Sequence, residues 1–412
     1  MILKACCQVN EQRQKSTRLM FVAGENSGDQ HAAALIEKLR ELRPDLACFG
    51  FGGLHMARAG MRLDYNLAQG LPIIGITQAL RHYPTLRALF IKACNLLDTD
   101  RPDALVLVDY PGFNLRLAHE AVKRDIPVIY YIAPQIWAWH PKRVHSIRQS
   151  VSLLMVIFPF EEKLFREYGI DARYVGHPLL DRVSVPWSRE HVAEMLGVRP
   201  DQPLIGLIPG SRQSEIEHHF EIMLEAARIM KSHIKDSVFV VPRAHTVSPD
   251  LLQSYVERYP DLSLRIIDEH FDSVRGNLDF ALCKSGTSTL ELALANVPMV
   301  ILYRVSTLTY LFARAVVKTK WIGLVNIVAG EELVPELLQG NATPEKIAST
   351  ALSILSDKEQ LEKMKEGFRR IRADLSRHGN IKTSTYAARL VLDYLDKRKG
   401  ETPTEKGGQE VF

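Results

Sequence analysis

The sequence predicts an α/β protein of two doubly wound parallel-sheet domains in tandem, followed by a helical C-terminal region. Three observations carry this expectation. Short, largely apolar runs alternate with amphipathic helical patterns, as parallel strands covered on both faces require. The alternation pauses at residues 181–189, which carry Pro186 and polar residues, and then restarts. From Pro344 onward the pattern is helical only.

Taken in order, residues 18–23 read as a strand and 30–42 as a helix with Leu35, Leu39 and Leu42 on one stripe. A second strand ends before Gly50-Phe51-Gly52-Gly53, which reads as a tight turn. Residues 104–108 are a strand and 115–124 a helix; strands follow at 128–132 and 151–157. After the pause, strands are expected at 204–208, 238–241, 264–267, 280–282 and 299–302, with helices such as 215–232 and 287–296 between them. The expected division is an N-terminal extension at 1–17, one domain at 18–184, a second at 185–356, C-terminal helices at 357–396 and a disordered tail at 397–412.

Composition narrows the function classes. Of 412 residues, 46% are hydrophobic and 24% charged, which excludes a disordered, collagenous or coiled-coil chain. Lys and Arg number 52 against 48 Asp and Glu, a net charge of +4. That mild surplus suits an anionic ligand or an anionic membrane surface; no nucleic-acid partner is expected. Five cysteines without a C-x-x-C spacing read as reduced thiols of a cytoplasmic protein. The most apolar stretch, 151–160, is about half the roughly 20 residues a membrane span needs. Residues 1–18 lack the apolar segment of a signal peptide. None of the 14 histidines has a metal-ligand spacing, so no metal is expected.

In doubly wound sheets ligands bind beyond the carboxyl ends of the strands, so the strand-to-helix loops should hold the chemistry. Gly24-Glu25-Asn26-Ser27-Gly28-Asp29 opens the first helix. It offers close backbone approach, unpaired N–H groups and two carboxylates, more than a helix cap needs. Asp109-Tyr110-Pro111-Gly112-Phe113-Asn114 puts a carboxylate at the end of a buried strand, a position that suits a general base. Asp98-Thr99-Asp100 lies at the opposite edge of the sheet and reads as an exposed turn. Pro134-Gln135-Ile136-Trp137-Ala138-Trp139, followed by Lys142, Arg143 and Arg148, fits sugar stacking or a membrane interface. Pro209-Gly210-Ser211-Arg212 has the outline of a diphosphate cradle with a fixed cation. Ser285-Gly286-Thr287 forms a second such loop, and Glu291 one turn on could accept from ribose hydroxyls. Asn326, with Ala329-Gly330-Glu331-Glu332, reads as a loop into another helix. Leu71, Ile73, Ile74, Ile76 and Leu80, with Arg81, Arg87 and Lys92 nearby, read as an amphipathic patch for membrane and acyl chains, or else as an ordinary core helix.

Six of these motifs in order, with Val175-Gly176-His177-Pro178 among them, resemble the lipid-A-disaccharide synthase family from about Arg18 to about Asp396. The resemblance implies a GT-B glycosyltransferase, two Rossmann-like domains facing a cleft with a helical C-terminal region, in which 18–184 binds acceptor and lipid and 185–356 binds the UDP-sugar. It implies UDP-2,3-diacylglucosamine as donor, 2,3-diacylglucosamine 1-phosphate as acceptor, and a β-1,6-linked disaccharide formed with inversion and without metal or other cofactor. The enzyme would be cytoplasmic and peripheral on the inner membrane, and a homodimer stays open. The family's catalytic aspartate falls on Asp109, its phosphate-loop arginine on Arg212 and its late asparagine on Asn326; Glu25 is the rival base. Ser27, Gly28, Gln135, Trp137, Gly210, Ser211, Ser285, Gly286, Thr287 and Glu291 are the expected substrate-binding residues. Two departures stand out: Leu54-His55 where the family commonly has Pro-Arg, and no proline before Asn326. The rival readings are another UDP-sugar transferase or epimerase of GT-B fold, and a non-catalytic membrane-associated nucleotide-sugar binder.

Overall fold

A computed structural model describes residues 16–67, 83–181, 186–306, 310, 319–376, 379 and 381–400. The expected patch Leu71, Ile73, Ile74, Ile76 and Leu80, and Arg81 beside it, lie outside the described residues.

The chain forms two compact units. One comprises the described residues up to Pro134, Lys142–Val175 and those from Ile381 on; the other comprises Gln135–Pro141 and those of Gly176–Asn380. The first unit is built on strands β1 (Arg18–Ala23), β2 (Ala47–Gly52), β3 (Arg62–Asn66), β4 (Ala104–Val108), β5 (Val128–Tyr131), β6 (Leu153–Val156) and β7 (Ala172–Tyr174). They lie in the order β3-β2-β1-β4-β5-β6-β7 with every neighbouring pair parallel. The second unit holds β8 (Leu204–Ile208), β9 (Val238–Pro242), β10 (Leu264–Ile267), β11 (Phe280–Lys284), β12 (Met299–Tyr303) and β13 (Glu336–Leu338). Their order is β10-β9-β8-β11-β12-β13, again parallel throughout.

The central strands are apolar because helices cover both faces. All five residues of β4 and of β8 are buried, and Phe21, Tyr130, Phe239 and Phe280 are fully enclosed. Each such side chain contributes roughly 1.5–3 kcal/mol relative to exposure.

The glycine run at 50–52 is inside β2, not after it as the turn reading expected. Gly50 sits at φ +133°, and a Cβ there would lie 2.2 Å from the Phe21 carbonyl oxygen, where the register against β3 shifts. Only glycine lets the two backbones come this close.

The C-terminal helices divide between the units. Pro344–Ser356 packs on Gln213–His233 in the second unit, whereas Thr383–Lys399 packs on Asn26–Leu42 in the first. Arg43 clamps Asp396 with bonds of 2.7 and 2.8 Å. Residues 397–399, expected in a disordered tail, continue this helix. Thr17, expected in the extension, is buried and accepts a hydrogen bond from Lys399 Nζ at 3.0 Å.

Candidate active site

Both sheets reverse strand order at their centre, β1 beside β4 in the first and β8 beside β11 in the second. Such switch points open a crevice at the carboxyl ends of the strands. Four of the loops singled out in the sequence, at Gly24, Asp109, Gly210 and Ser285, leave these four strands, whereas Pro134–Trp139 follows β5 and Asn326 follows β12.

In the first unit, Glu25 is exposed at the start of the helix Asn26–Leu42. Ser27 is exposed beside it, and Gly28 is buried near the Val108 carbonyl. Asp29 is buried and takes a structural part. Its carboxylate accepts from the N–H groups of Gly53, His55 and Met56 at 2.8, 3.0 and 3.1 Å. It thereby caps the helix Leu54–Arg58.

Beyond β4 the backbone is strained. Asp109 and Tyr110 take φ of +47° and +50°, and Ile132, just past β5, takes +63°. Non-glycine residues seldom sit there, and such strain costs on the order of 1–3 kcal/mol per residue. Asn114 holds the turn, its amide Nδ2 donating to the carbonyls of Asp109, Val108 and Val22 at 2.6, 3.2 and 3.4 Å. Tyr130 Oη donates to the same Asp109 carbonyl at 2.6 Å. The Tyr110 ring lies against Gly24; a Cβ on Gly24 would come within 2.2 Å of it.

Burial pushes the Asp109 carboxyl up to about 6, and the negative charge of Glu25 adds to the rise; the Tyr110 N–H opposes it. A carboxylate poised near neutrality at a strand end has the pKa and the placement of a general base.

The second crevice inverts this electrostatics. Gly210 takes φ +127°, and the Glu215 carboxylate folds back under it. Glu215 accepts from the Ser211 N–H at 2.9 Å and pairs with Lys284 Nζ at 2.9 Å. Burial alone would raise this carboxyl, but Lys284, the Ser211 N–H and Arg212 outweigh it and hold it low. Arg212 reaches Glu215 only at 3.4 Å and keeps 58% of its side chain exposed. Thr287 is exposed at the first turn of the helix Thr287–Leu294, and Gly286 caps it.

The family model for lipid-A-disaccharide synthetase matches residues 19–391. Lipid-A-disaccharide synthase of Syntrophus aciditrophicus is 38% identical over 385 residues, covering 92% of this chain and 99% of that one. The synthase of Trichlorobacter lovleyi is 38% identical over 380 residues, with 92% and 98% covered. This chain belongs to the lipid-A-disaccharide synthase family.

Among solved structures, a putative UDP-N-acetylglucosamine 2-epimerase from Listeria monocytogenes superposes with TM-score 0.62 at 14% identity, covering 96% of this chain and all of that one. The calicheamicin glycosyltransferase CalG4 gives 0.62 at 16%, with 93% and 99% covered. These likenesses are of fold, and the fold is GT-B.

Several expected site residues of this synthase-family enzyme are committed within the protein. Ser285 Oγ donates to the Ile322 carbonyl at 2.8 Å. Glu291 pairs with Arg275 at 3.1 Å beside a cavity of about 240 Å³, into which Asp272 and Arg372 also face. Gln135 is exposed, and its carbonyl accepts from Ala138 and Trp139 N–H at 3.1 and 3.2 Å; Trp137 is half-buried.

Asn326 differs most from its reading. It lies in the helix Leu324–Ala329, not in a loop, and is fully buried. Its Nδ2 donates to Val334 O and Glu336 Oε1 at 2.7 and 2.8 Å, and its Oδ1 accepts from Leu333 and Val334 N–H at 3.0 and 2.9 Å. Glu336 in turn accepts from Ile322 and Gly323 N–H at 2.9 Å each. Asn326 thus stands behind the segment that receives Ser285.

Sequence reasoning gave no role to Asn114, Tyr130, Glu215 or Lys284. Asn114 closes the Asp109–Asn114 motif and Lys284 directly precedes Ser285-Gly286-Thr287, so a signal was present. Nothing local marks Tyr130 or Glu215.

Proposed function

We propose that this glycosyltransferase joins UDP-2,3-diacylglucosamine to 2,3-diacylglucosamine 1-phosphate, giving a β-1,6-linked disaccharide 1-phosphate and UDP. The acceptor 6-hydroxyl oxygen forms the new bond to C1 of the donor with inversion. The C1–O bond to the diphosphate breaks, and its electron pair leaves with UDP. The hydroxyl proton goes to Asp109. The observation that carries this reading is Asp109 itself: a carboxyl raised to about 6 on a strained turn at a switch point. A group of that pKa is ionised at neutral pH yet basic enough to take a proton.

The diphosphate needs compensating charge as it departs. Arg212, the N–H groups around Ser211 and the helix N-terminus at Thr287 supply it. Asn326 is a positioning residue in this scheme, because its polar atoms are all engaged with protein.

Both substrates carry acyl chains, so the enzyme works at the surface of an anionic membrane, from the cytoplasm. Among the described residues no helix is long and apolar enough to cross a membrane. The apolar cluster from Leu71 to Leu80 supports surface attachment instead.

The test is UDP release from UDP-diacylglucosamine. Release that requires the acylated sugar phosphate is expected. Release without acceptor, or epimerisation of the donor sugar, would overturn the reading.

A further inference from the structure

The cationic lining of the second crevice is already occupied by an acid. The Glu215 carboxylate accepts from the Ser211 N–H and from Lys284 Nζ at 2.9 Å each, and Arg212 Nη1 stands 3.4 Å away. Lys284 and Glu215 keep only 16% and 15% of their side chains exposed, whereas Arg212 keeps 58%. A Cβ on Gly210 would lie 2.4 Å from Glu215 Oε2, so the carboxylate packs against the glycine turn itself. Two of the three donors it holds, Arg212 and the Ser211 N–H, are those assigned above to the departing diphosphate.

Lys284 is the third, and its surroundings fit the same ligand. It closes β11 and precedes Ser285-Gly286 at the entry to the helix Thr287–Leu294. Its Nζ is 3.6 Å from where a Cβ on Gly286, the N-cap of that helix, would be. The ammonium therefore stands beside the unpaired N–H groups of the first turn. The Tyr303 ring supports it, with its centroid 5.7 Å from Nζ. The Glu215 backbone is fixed from behind: His219 Nδ1 donates to its carbonyl at 2.7 Å, while His219 Nε2 accepts from the Arg304 N–H at 3.0 Å. Movement at this position is thereby confined to the Glu215 side chain.

We propose that Glu215 is an internal stand-in for the donor's diphosphate, and that Lys284 is a further diphosphate-binding residue which this acid releases when the donor arrives. The inference rests on the donor proposed above and adds how its site is kept ready and how it is emptied. A diphosphate meets these donors only as the carboxylate withdraws, because like charges would otherwise crowd a partly buried site. With the cradle empty, Glu215 neutralises Lys284 and holds the Gly210 turn in shape. With the donor bound, phosphate oxygens take over the same N–H groups and the Glu215 side chain turns toward solvent. After the sugar has been transferred, the carboxylate competes for those donors again and speeds the departure of UDP. In neither state is Lys284 left buried without a counter-charge, which is the costly alternative.

The experiment is calorimetric titration of the full-length protein with UDP and with uridine, which lacks the phosphates. E215Q keeps an oxygen for the Ser211 N–H and removes the charge. It should bind UDP about tenfold more tightly than wild type and uridine equally well, and UDP should inhibit its turnover at about tenfold lower concentration. K284M keeps the aliphatic stem over Tyr303 and should weaken UDP binding by about 10- to 100-fold, with uridine unchanged. Because K284M leaves the Glu215 charge unpaired, E215Q/K284M, a neutral pair, carries the same test with the fold secured. It should bind UDP at least about tenfold more weakly than E215Q. Unchanged or weaker UDP binding by E215Q would overturn the stand-in, since an acid that only shapes the loop can only lose affinity when altered. Equal tightening of UDP and uridine would overturn it as well. E215Q/K284M binding UDP as tightly as E215Q would remove Lys284 from the site. Wild type that binds no UDP would sink the proposed donor and this inference together. Wild type that binds UDP, with E215Q no tighter, would leave the reaction standing and sink the stand-in alone.

Discussion

The two crevices use one architectural device for opposite electrostatic ends. Each opens where a parallel sheet reverses its strand order, and each contains a partly buried acid one loop beyond a central strand. In the first, Asp109 has a second acid, Glu25, as its charged neighbour, and its pKa rises to about 6. In the second, Glu215 has Lys284 at 2.9 Å and Arg212 nearby, and its pKa falls. The comparison teaches that the fold supplies only the crevice. The charge placed next to the acid decides whether it takes up a proton or stays an anion that shapes a cationic loop.

The strongest way to break this contrast is to remove the first acid. D109N should lower kcat by about 10³-fold, within the range of general-base loss, and leave UDP affinity within about twofold. It should also stabilise the fold at neutral pH. Because the folded pKa lies above the ordinary carboxylate value, the native state holds a proton that the unfolded chain releases between about pH 4 and 6. Above pH 6 the charged, partly buried carboxylate costs up to about 3 kcal/mol, which D109N removes. The gain in melting temperature should therefore be full at pH 7–8 and vanish near pH 4. A variant with near-normal turnover, or one less stable than wild type at pH 8, would refute the assignment.

Next in size is the support of the second crevice. N326A leaves the buried Val334 N–H without its acceptor and the Val334 carbonyl and Glu336 carboxylate without the Asn326 donor, at a cost of about 2–4 kcal/mol in denaturant unfolding. Turnover by the fraction that stays folded should fall far less than in D109N; a loss as large would make Asn326 a participant in the chemistry. R212A should then weaken UDP binding by about 10- to 100-fold by calorimetry, with little change in unfolding, since its side chain is largely exposed. Unchanged UDP affinity would remove Arg212 from the cradle.

Much of this was legible in the sequence because the crevices are made at loop punctuation. Gly, Pro and charged residues interrupt apolar runs at Gly24, Asp109 and Gly210, and those breaks lie at strand ends. The strands β3, β7 and β13 were not legible. They are three to five residues long with charged members, as in Arg62-Leu63-Asp64-Tyr65-Asn66, and lack both period and apolar run. Asn326 was misread because Gly323 and Gly330 bracket a helix of only six residues and suggest a turn. Pairings such as Glu215 with Lys284 or Tyr130 with Asp109 join residues that the chain order separates by 69 and 21 positions. Periodicity carries no information about them, since tertiary packing alone decides which side chains meet.

The smallest test concerns that last pairing. Tyr130 is fully enclosed, and burial pushes its phenol far above its ordinary range, so it stays a neutral donor to the Asp109 carbonyl. Y130F keeps the ring and deletes one hydrogen bond, at a cost of about 1 kcal/mol in stability. If the bond only holds the fold, kcat and its pH dependence should stay unchanged. If it holds the strained turn that presents Asp109, kcat should fall about three- to tenfold while both KM values hold. The acid limb of the kcat profile should then move away from pH 6 as the carboxyl relaxes toward water. The second outcome is expected, because Asn114 Nδ2 divides its two hydrogens among three carbonyls, that of Asp109 among them, and has none to spare to replace the Tyr130 bond. An unmoved limb together with unchanged kcat would reduce Tyr130 to packing and leave Asn114 as the sole clamp on the turn.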